Sequence, residues 1–280
     1  MTPVAVRHPA VAGRFYPSDP EVLRQDVRRY LHQSAQTELI RAFGSLAPHA
    51  GYMYSGHVAG AVFGALEIPE LCLVLCPNHT GVGRPLAIVS EGAWATPMGD
   101  VPIDCGFASA LKDRCSLLEE DSSAHRTEHA AEVELPFLQY IQPNLKFVPI
   151  ALGTSRFEAL EELGSAIADV IAAQPSRVLI VASSDMNHYE SDAITRIKDQ
   201  NAIDPMLRLD ARALYDTVTQ QHISMCGFGP AIAMLTATKK LGATGAELVK
   251  YATSGDVSGD RDLVVGYAGI VVPTIQVPAV

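Results

Sequence analysis

Short apolar runs alternate with amphipathic stretches along this chain. Leu71 to Cys76 (LCLVLC), Leu145 to Leu152 and Arg177 to Ala182 (RVLIVA) are nearly unbroken apolar segments, the pattern of strands buried on both faces. Ser45-Leu46-Ala47 reads as the end of another such strand. Ala87 to Ser90 and Val101 to Ile103 predict two short strands around a turn at Thr96-Pro97-Met98-Gly99. Glu247 to Thr253 and Leu263 to Val272 predict two closing strands, with SGDVSGDRD as the turn between them. The intervening stretches have helical spacing. Ser18 and Glu21 suggest a capping box with Ser18 as N-cap, and Val22, Leu23, Val27, Tyr30 and Leu31 then share one face. Further helices are predicted over 57–66, with small residues for close packing on the sheet, and over 107–111, 158–173 and 231–241. A helix over 128–141 would start at Thr127 as N-cap and be ended or kinked by Pro136. A long helical stretch over 194–219 would break near Asp204-Pro205. Strands alternating with helices predict an α/β fold, a mixed and mostly buried sheet with helices on both faces. No linker composition divides residues 1–280, so we expect one domain, with 1–17 as an extended N-terminal arm.

Polar residues crowd the ends of these apolar runs. Pro48-His49 and Pro77-Asn78-His79 repeat one order, apolar strand, proline, histidine, and then glycine at Gly51 and Gly81. Ligands of open α/β sheets bind outside the carboxyl ends of the strands, where both imidazoles would sit. The RVLIVA run leads into Ser183-Ser184-Asp185-Met186-Asn187-His188. Cys226 lies in a tight loop before a helix, a position that lowers a thiol's pKa and makes it the most alkylation-prone cysteine of the chain. Two imidazoles and a thiolate, His49, His79 and Cys226, form a plausible three-ligand metal site with open positions. His188 could then act as acid or base beside it. The bland alternative is that these histidines are ordinary loop residues and Cys226 an inert thiol. Cys72 and Cys76 are expected in the core, Cys105 and Cys115 carry no motif, and His8, His32 and His222 are expected at the surface.

A net charge of -10 makes the chain a poor match to nucleic acid or an anionic membrane, so neither is expected as a partner. Its apolar runs are too short to span a bilayer, and its first residues lack the apolar core of a signal peptide. Five cysteines without a close CxxC pair suggest reduced thiols and a cytoplasmic location. Two rival motifs compete with the metal site. His125-Arg126-Thr127-Glu128-His129 spells H-x-x-E-H, the inverted zinc-peptidase pattern, which would make a zinc hydrolase. With Thr127 as N-cap, however, His125 falls outside the helix. A serine hydrolase on Ser183 or Ser184 with Asp185 and His188 lacks the G-x-S-x-G elbow.

The motifs RHPAVAGRFYP, APHAGYMYSG, PNHTG, TPMG, EHAAEVELPFLQY, SSDMNHYE, CGFGP and SGDVSGDRDLVVGYAGI run almost end to end. Through them the chain resembles the Memo family, also described as protein B of the Ammecr-Memo-radical SAM system. That resemblance implies the LigB-like fold of class III extradiol dioxygenases, with their non-haem iron site. It implies His49 and His79 as metal ligands and Cys226 where the dioxygenases place a glutamate. It further implies His188 as the catalytic histidine with Asp185 beside it, and His129 near the same cleft. Thiolate in place of carboxylate softens the site toward copper, zinc or redox-tuned iron. The expected function is therefore a redox or dioxygenase-like metalloenzyme acting on an unknown small molecule or peptide, with radical SAM pathway proteins as implied partners. The alternative is a non-catalytic module that docks a peptide or partner protein in the same cleft. Tyr16, Tyr52, Tyr54 and Trp94 could wall such a cleft, unless they pack in the core.

Overall fold

The apolar runs pair into one nine-stranded mixed sheet in the computed structural model, which describes residues 5–32 and 38–274. Its centre is four parallel strands, in spatial order Ala42–Ala47, Val178–Ser183, Leu71–Pro77 and Lys146–Leu152. All four are almost wholly buried, which explains why they read as continuous apolar segments and not as alternating ones. Val264–Pro273 runs antiparallel beside the first, and it also pairs with Glu247–Thr253 and His188–Glu190. Leu86–Ile88 lies antiparallel on the other side, followed by Glu119–Glu120. Helices cover both faces. Phe228–Lys240 packs on the central strands with Phe157–Ala172 behind it, whereas Tyr52–Gly64 and Ala130–Ile141 lie against the sheet from the other side. The pleat separates these two covers. Gly44 faces Met234 and Thr238, while Gly269 faces Val58 and Val62, and a Cβ at Gly269 would lie 2.5 Å from Val62. Because the central strands are parallel, Ala47, Pro77, Leu152 and Ser183 end at one edge.

Several local boundaries differ from the sequence reading for identifiable reasons. The first helix, Pro20–His32, is capped by Asp19, whose Oδ1 accepts from the N–H groups of Glu21 and Val22, and not by Ser18. The helix expected from His57 starts at Tyr52, directly after Gly51. Its small residues serve mainly the first helix: a Cβ at Gly60 would lie 2.6 Å from Tyr30. The TPMG turn joins Ala93–Thr96 to Gly99–Pro102, and these pair with Val6–Arg7 in a separate three-stranded sheet. Pro136 sits inside the helix Ala130–Ile141 without ending it. Pro205 is likewise internal to Asp192–Leu207, and the break falls at Leu209, whose φ is 53°. The SGDVSGDRD segment includes one helical turn, Gly255–Ser258.

The N-terminal arm is tied down by one buried acid. Of the arm 1–17, residues 1–4 lie outside the described residues. Glu132 is fully buried and accepts hydrogen bonds from Arg7, from the N–H groups of Ala10 and Val11, and from Tyr16 Oη. Arg7 also donates to the carbonyls of His125 and Glu128 and stacks on Trp94. These contacts carry Phe15 to within 4.7 Å of the His129 ring. No helix among the described residues is long and apolar enough to cross a membrane.

Candidate metal centre

The carboxyl edge of the parallel strands collects the histidines. His49 follows the strand ending at Ala47, and His79 follows the one ending at Pro77. His129 joins them from the N-cap of the helix Ala130–Ile141. The ligand nitrogens of these three all lie within 4.8 Å of one another. His79 and His129 stack with ring centroids 4.8 Å apart, and His49 meets both edge-on. His49 is buried, His129 half-buried and His79 exposed, so the cluster opens to solvent on the His79 side.

Buried acids and hydroxyls orient these rings from behind. Glu128 is buried, and its carboxylate accepts from His79 Nδ1 at 2.9 Å and from the N–H groups of His79, His129 and Ala130. Burial opposes its charge, but His79 and the backbone donors outweigh that and hold the carboxyl below its usual range. An ionised Glu128 accepts from His79 Nδ1–H, which leaves His79 Nε2 as the free lone pair, the arrangement that outer carboxylates impose on metal-binding histidines. Burial alone would lower the His79 pKa, and Glu128 raises it above the ordinary value. His49 Nδ1 lies 2.8 Å from Ser183 Oγ, which also contacts Ala130 O and Glu134 Oε1. Burial pushes the Glu134 carboxyl far up, so it is neutral and can donate to Ser183. Ser183 then donates to Ala130 O and accepts from His49 Nδ1–H, presenting His49 Nε2 to the cleft. Burial, then the neighbouring imidazoles, lower the His49 pKa, and burial lowers those of His129 and His188. These three rings are thus held neutral, the form that binds metal.

Cys226 Sγ lies 3.3 Å from His49 Nε2. Ligands of one tetrahedral zinc would be spaced about 3.5 Å apart, given Zn–S near 2.3 Å and Zn–N near 2.0 Å. The donor set that fits a transition metal is therefore the three imidazoles of His49, His79 and His129; the expected third ligand Cys226 stands beside His49 but is not part of that cluster. The expected low thiol pKa is corrected. Cys226 precedes a helix that begins at Phe228, but burial of its sulfur, and then Asp185, push the thiol up. Desolvation outweighs the helix end, and Cys105 is the exposed cysteine. Among the described residues all five cysteines are free, with Cys72 and Cys76 in the core.

Asp185 is buried, and its Oδ1 accepts from the N–H groups of His49 and Ala50. It shapes the loop that carries His49, and burial raises its pKa to about 7 despite those donors. His188 Nδ1 lies 2.8 Å from Ser224 O, so Nδ1 carries the proton and Nε2 is the basic nitrogen. Asn187 fixes this geometry, since its Oδ1 accepts from Ser224 N–H and Oγ. Asn187 N–H in turn donates to Asp199, which also accepts from Tyr251 Oη. Ser183, Glu134, Ser224 and Asn187 had no assigned part in the metal reading of the sequence; the crowded SSDMNH run was the one available signal.

Asp199 supplies a pH prediction. Burial raises its pKa to about 7 against those two hydrogen bonds. An unfolded aspartate titrates near 3.9. Between about pH 4 and 7 the folded protein therefore holds a proton that the unfolded chain has lost, so this contribution to stability, full below about pH 4, is lost progressively as pH rises to about 7. Asp199→Asn lacks that titration. Denaturant unfolding at pH 4.5 and 7.5 should show the variant gaining on the wild type at the higher pH, by about 1 kcal/mol or more. A pH-independent difference would contradict it.

The H-x-x-E-H pattern does not assemble. His125 is buried with Nε2 3.1 Å from Ala87 O and its ring against Trp94, so it stays out of the histidine cluster. Glu128 is saturated by N–H donors and is not free to serve as a base. The zinc-hydrolase reading is corrected on that ground. Ser184 Oγ donates to Asp185 O and accepts from Gly227 N–H, so it has no histidine partner. Tyr16, Tyr52 and Trp94 are buried in the core, whereas Tyr54 is half-buried.

A family model described as Memo-like protein matches residues 7–271. The chain is 42% identical over 277 residues to the MEMO1 family protein MK0963 of Methanopyrus kandleri, covering 95% of this chain and 98% of that one. It is 40% identical over 285 residues to the MEMO1 family protein MJ0403 of Methanocaldococcus jannaschii, covering 95% and 99%. Among solved structures it is similar to the uncharacterized protein JW3007 from Escherichia coli K12, with a TM-score of 0.50 and 12% identity over 82% of this chain and 100% of that chain. At that identity the likeness concerns the fold alone.

Proposed function

The chain belongs to the Memo family, and from that premise we propose that it is a metalloenzyme with a redox or extradiol-dioxygenase-like reaction at the strand-end cleft. The observation that carries this is the convergence of His49, His79 and His129, with ligand nitrogens within 4.8 Å and two rings oriented from behind by Ser183 and Glu128. We assign His49, His79 and Cys226 as ligands, with His129 beside them. When bound, iron, copper or zinc would supply Lewis acidity, and the first two would also supply electron transfer. His188 Nε2 takes or gives the substrate proton, and Asp185 holds the loop that presents His49. A thiolate ligand favours soft or redox-tuned metals over the hard iron of a carboxylate site. The substrate is a small molecule or a peptide, radical SAM pathway proteins are partners by family resemblance, and the location is the cytoplasm.

X-ray absorption of the metal-loaded protein tests the ligand set. We expect one sulfur near 2.3 Å together with nitrogen ligands, and loss of the sulfur signal in Cys226→Ser. Nitrogen and oxygen ligands alone in the wild type would exclude Cys226 and assign His129 as the third ligand.

One observation favours the binding-module alternative. Tyr189 is 72% exposed with φ near 60°, and its ring meets the His188 ring edge-on at 5.6 Å. A strained, exposed aromatic beside the cleft suits docking of a peptide side chain. Kinetics of His188 variants separate the two functions.

A further inference from the structure

His188 is carried by a segment that the sheet alone does not fix. His188–Glu190 is a short edge strand, and its register against Val264–Pro273 shifts between His188 and Glu190. Tyr189 between them sits at φ 60°, a region that a non-glycine residue keeps only where its surroundings over-determine it. Side chains supply that constraint. Ser224 Oγ accepts from His188 N–H at 2.7 Å, and Ser224 O accepts from the ring Nδ1–H at 2.8 Å. Asn187, fully buried, ties Ser224 down through its Oδ1 and donates from Nδ2 to Glu190 Oε2.

Behind Asn187 stands an acid that the proposed chemistry does not use. Asp199, on the helix Asp192–Leu207, is fully buried with both carboxyl oxygens engaged. Oδ1 accepts from Asn187 N–H at 2.8 Å, and Oδ2 accepts from Tyr251 Oη at 2.7 Å. The seat exists because residue 266 is a glycine, where a Cβ would collide with Asp199 Oδ2. A helix and two strands thus converge on one carboxyl group, in a place where an acid costs desolvation that an apolar side chain would not. We propose that Asp199, braced by Tyr251, is a positioning residue: through Asn187 and Ser224 it holds His188 with the proton on Nδ1 and the lone pair on Nε2. The catalytic consequence rests on the proton-transfer role proposed for His188; the positioning itself does not.

Nitrogen-15 NMR of histidine-labelled, metal-free protein reads the tautomer directly. It is recorded above pH 7, where burial keeps His188 neutral, and the signals missing from His188→Ala identify that ring. We expect one Nδ1–H form in the wild type, because the hydrogen bond a ring nitrogen makes sets which one carries the proton. Asp199→Ala should shift His188 to a mixture with the Nε2–H form, and Tyr251→Phe should shift it the same way by a smaller amount. Asp199→Asn retains an acceptor for Asn187 N–H and should restore the wild-type form. Leu111→Ala, a core truncation in the distant helix Cys105–Arg114, should leave the tautomer unchanged, which separates positioning from a general loss of stability. The proposal is overturned if wild-type His188 is not the Nδ1–H form, or if folded Asp199→Ala or Tyr251→Phe keeps the wild-type form. It is equally overturned if Asp199→Asn gives the same mixture as Asp199→Ala, or if Leu111→Ala gives a shift as large. Tyr251 is half-buried and Tyr251→Phe keeps its ring, so that variant decides the matter even where Asp199→Ala does not fold. A catalytic role for His188 is judged separately, by the turnover of His188→Ala.

Discussion

His49→Ala is expected to lower metal affinity by more than about 100-fold, beyond the 10- to 100-fold typical of removing an outer-shell partner. His49 contributes the central ring of the cluster, edge-on to both His79 and His129, with Nε2 3.3 Å from Cys226 Sγ. Its loss therefore removes one ligand and the group against which the thiol is placed. The fold should survive, because Ser183 keeps its contacts with Ala130 O and Glu134, and Asp185 keeps the backbone N–H groups at positions 49 and 50. Competition against a chelator gives the affinity, and circular dichroism of the metal-free protein checks the fold. A folded variant that binds metal like the wild type would remove His49 from the site.

His188→Ala is expected to separate chemistry from binding. None of the proposed ligands is altered, so metal content should match the wild type. Turnover should fall by about 100- to 10,000-fold, the usual contribution of a positioned proton-transfer group. Its Nδ1 is committed to Ser224 O, so Nε2 is the basic nitrogen, and burial keeps it below its ordinary pKa and neutral near pH 7. Oxygen consumption with a panel of catechols and thiols, on iron- and copper-loaded protein, gives the assay. Once a turned-over substrate is found, wild-type rates in His188→Ala would contradict a catalytic role and favour the docking function suggested by Tyr189.

Parts of this site were readable because their cause is local. A buried parallel strand is an unbroken apolar run, and the proline and histidine after it must sit at the carboxyl edge, so His49 and His79 could be found in the sequence. His129 could not be found by spacing, because its place depends on a distant contact. Glu128 gathers N–H groups from His79, His129 and Ala130, and the helix therefore starts at Ala130 with His129 as its cap. Glu132 and Glu134 would each pass for a solvent-exposed position of that helix, yet both are fully buried, one on the N-terminal arm and one on Ser183. Nothing in the local pattern distinguishes a buried acid with partners from an exposed one. The Cys226 thiol illustrates the same limit: the helix that follows it is a local feature, but the burial that sets its pKa comes from residues far along the chain.

Metal analysis tests the central claim most directly. Protein purified without added metal under anaerobic, reducing conditions should carry, or take up from iron(II), copper(I) or zinc, roughly one ion per chain, the stoichiometry of a single three-ligand site. The ion should be absent from His79→Ala purified in the same way. Wild-type protein that stays metal-free after exposure to all three ions, or a His79→Ala variant that retains the full complement, would contradict a metal centre at this edge of the sheet.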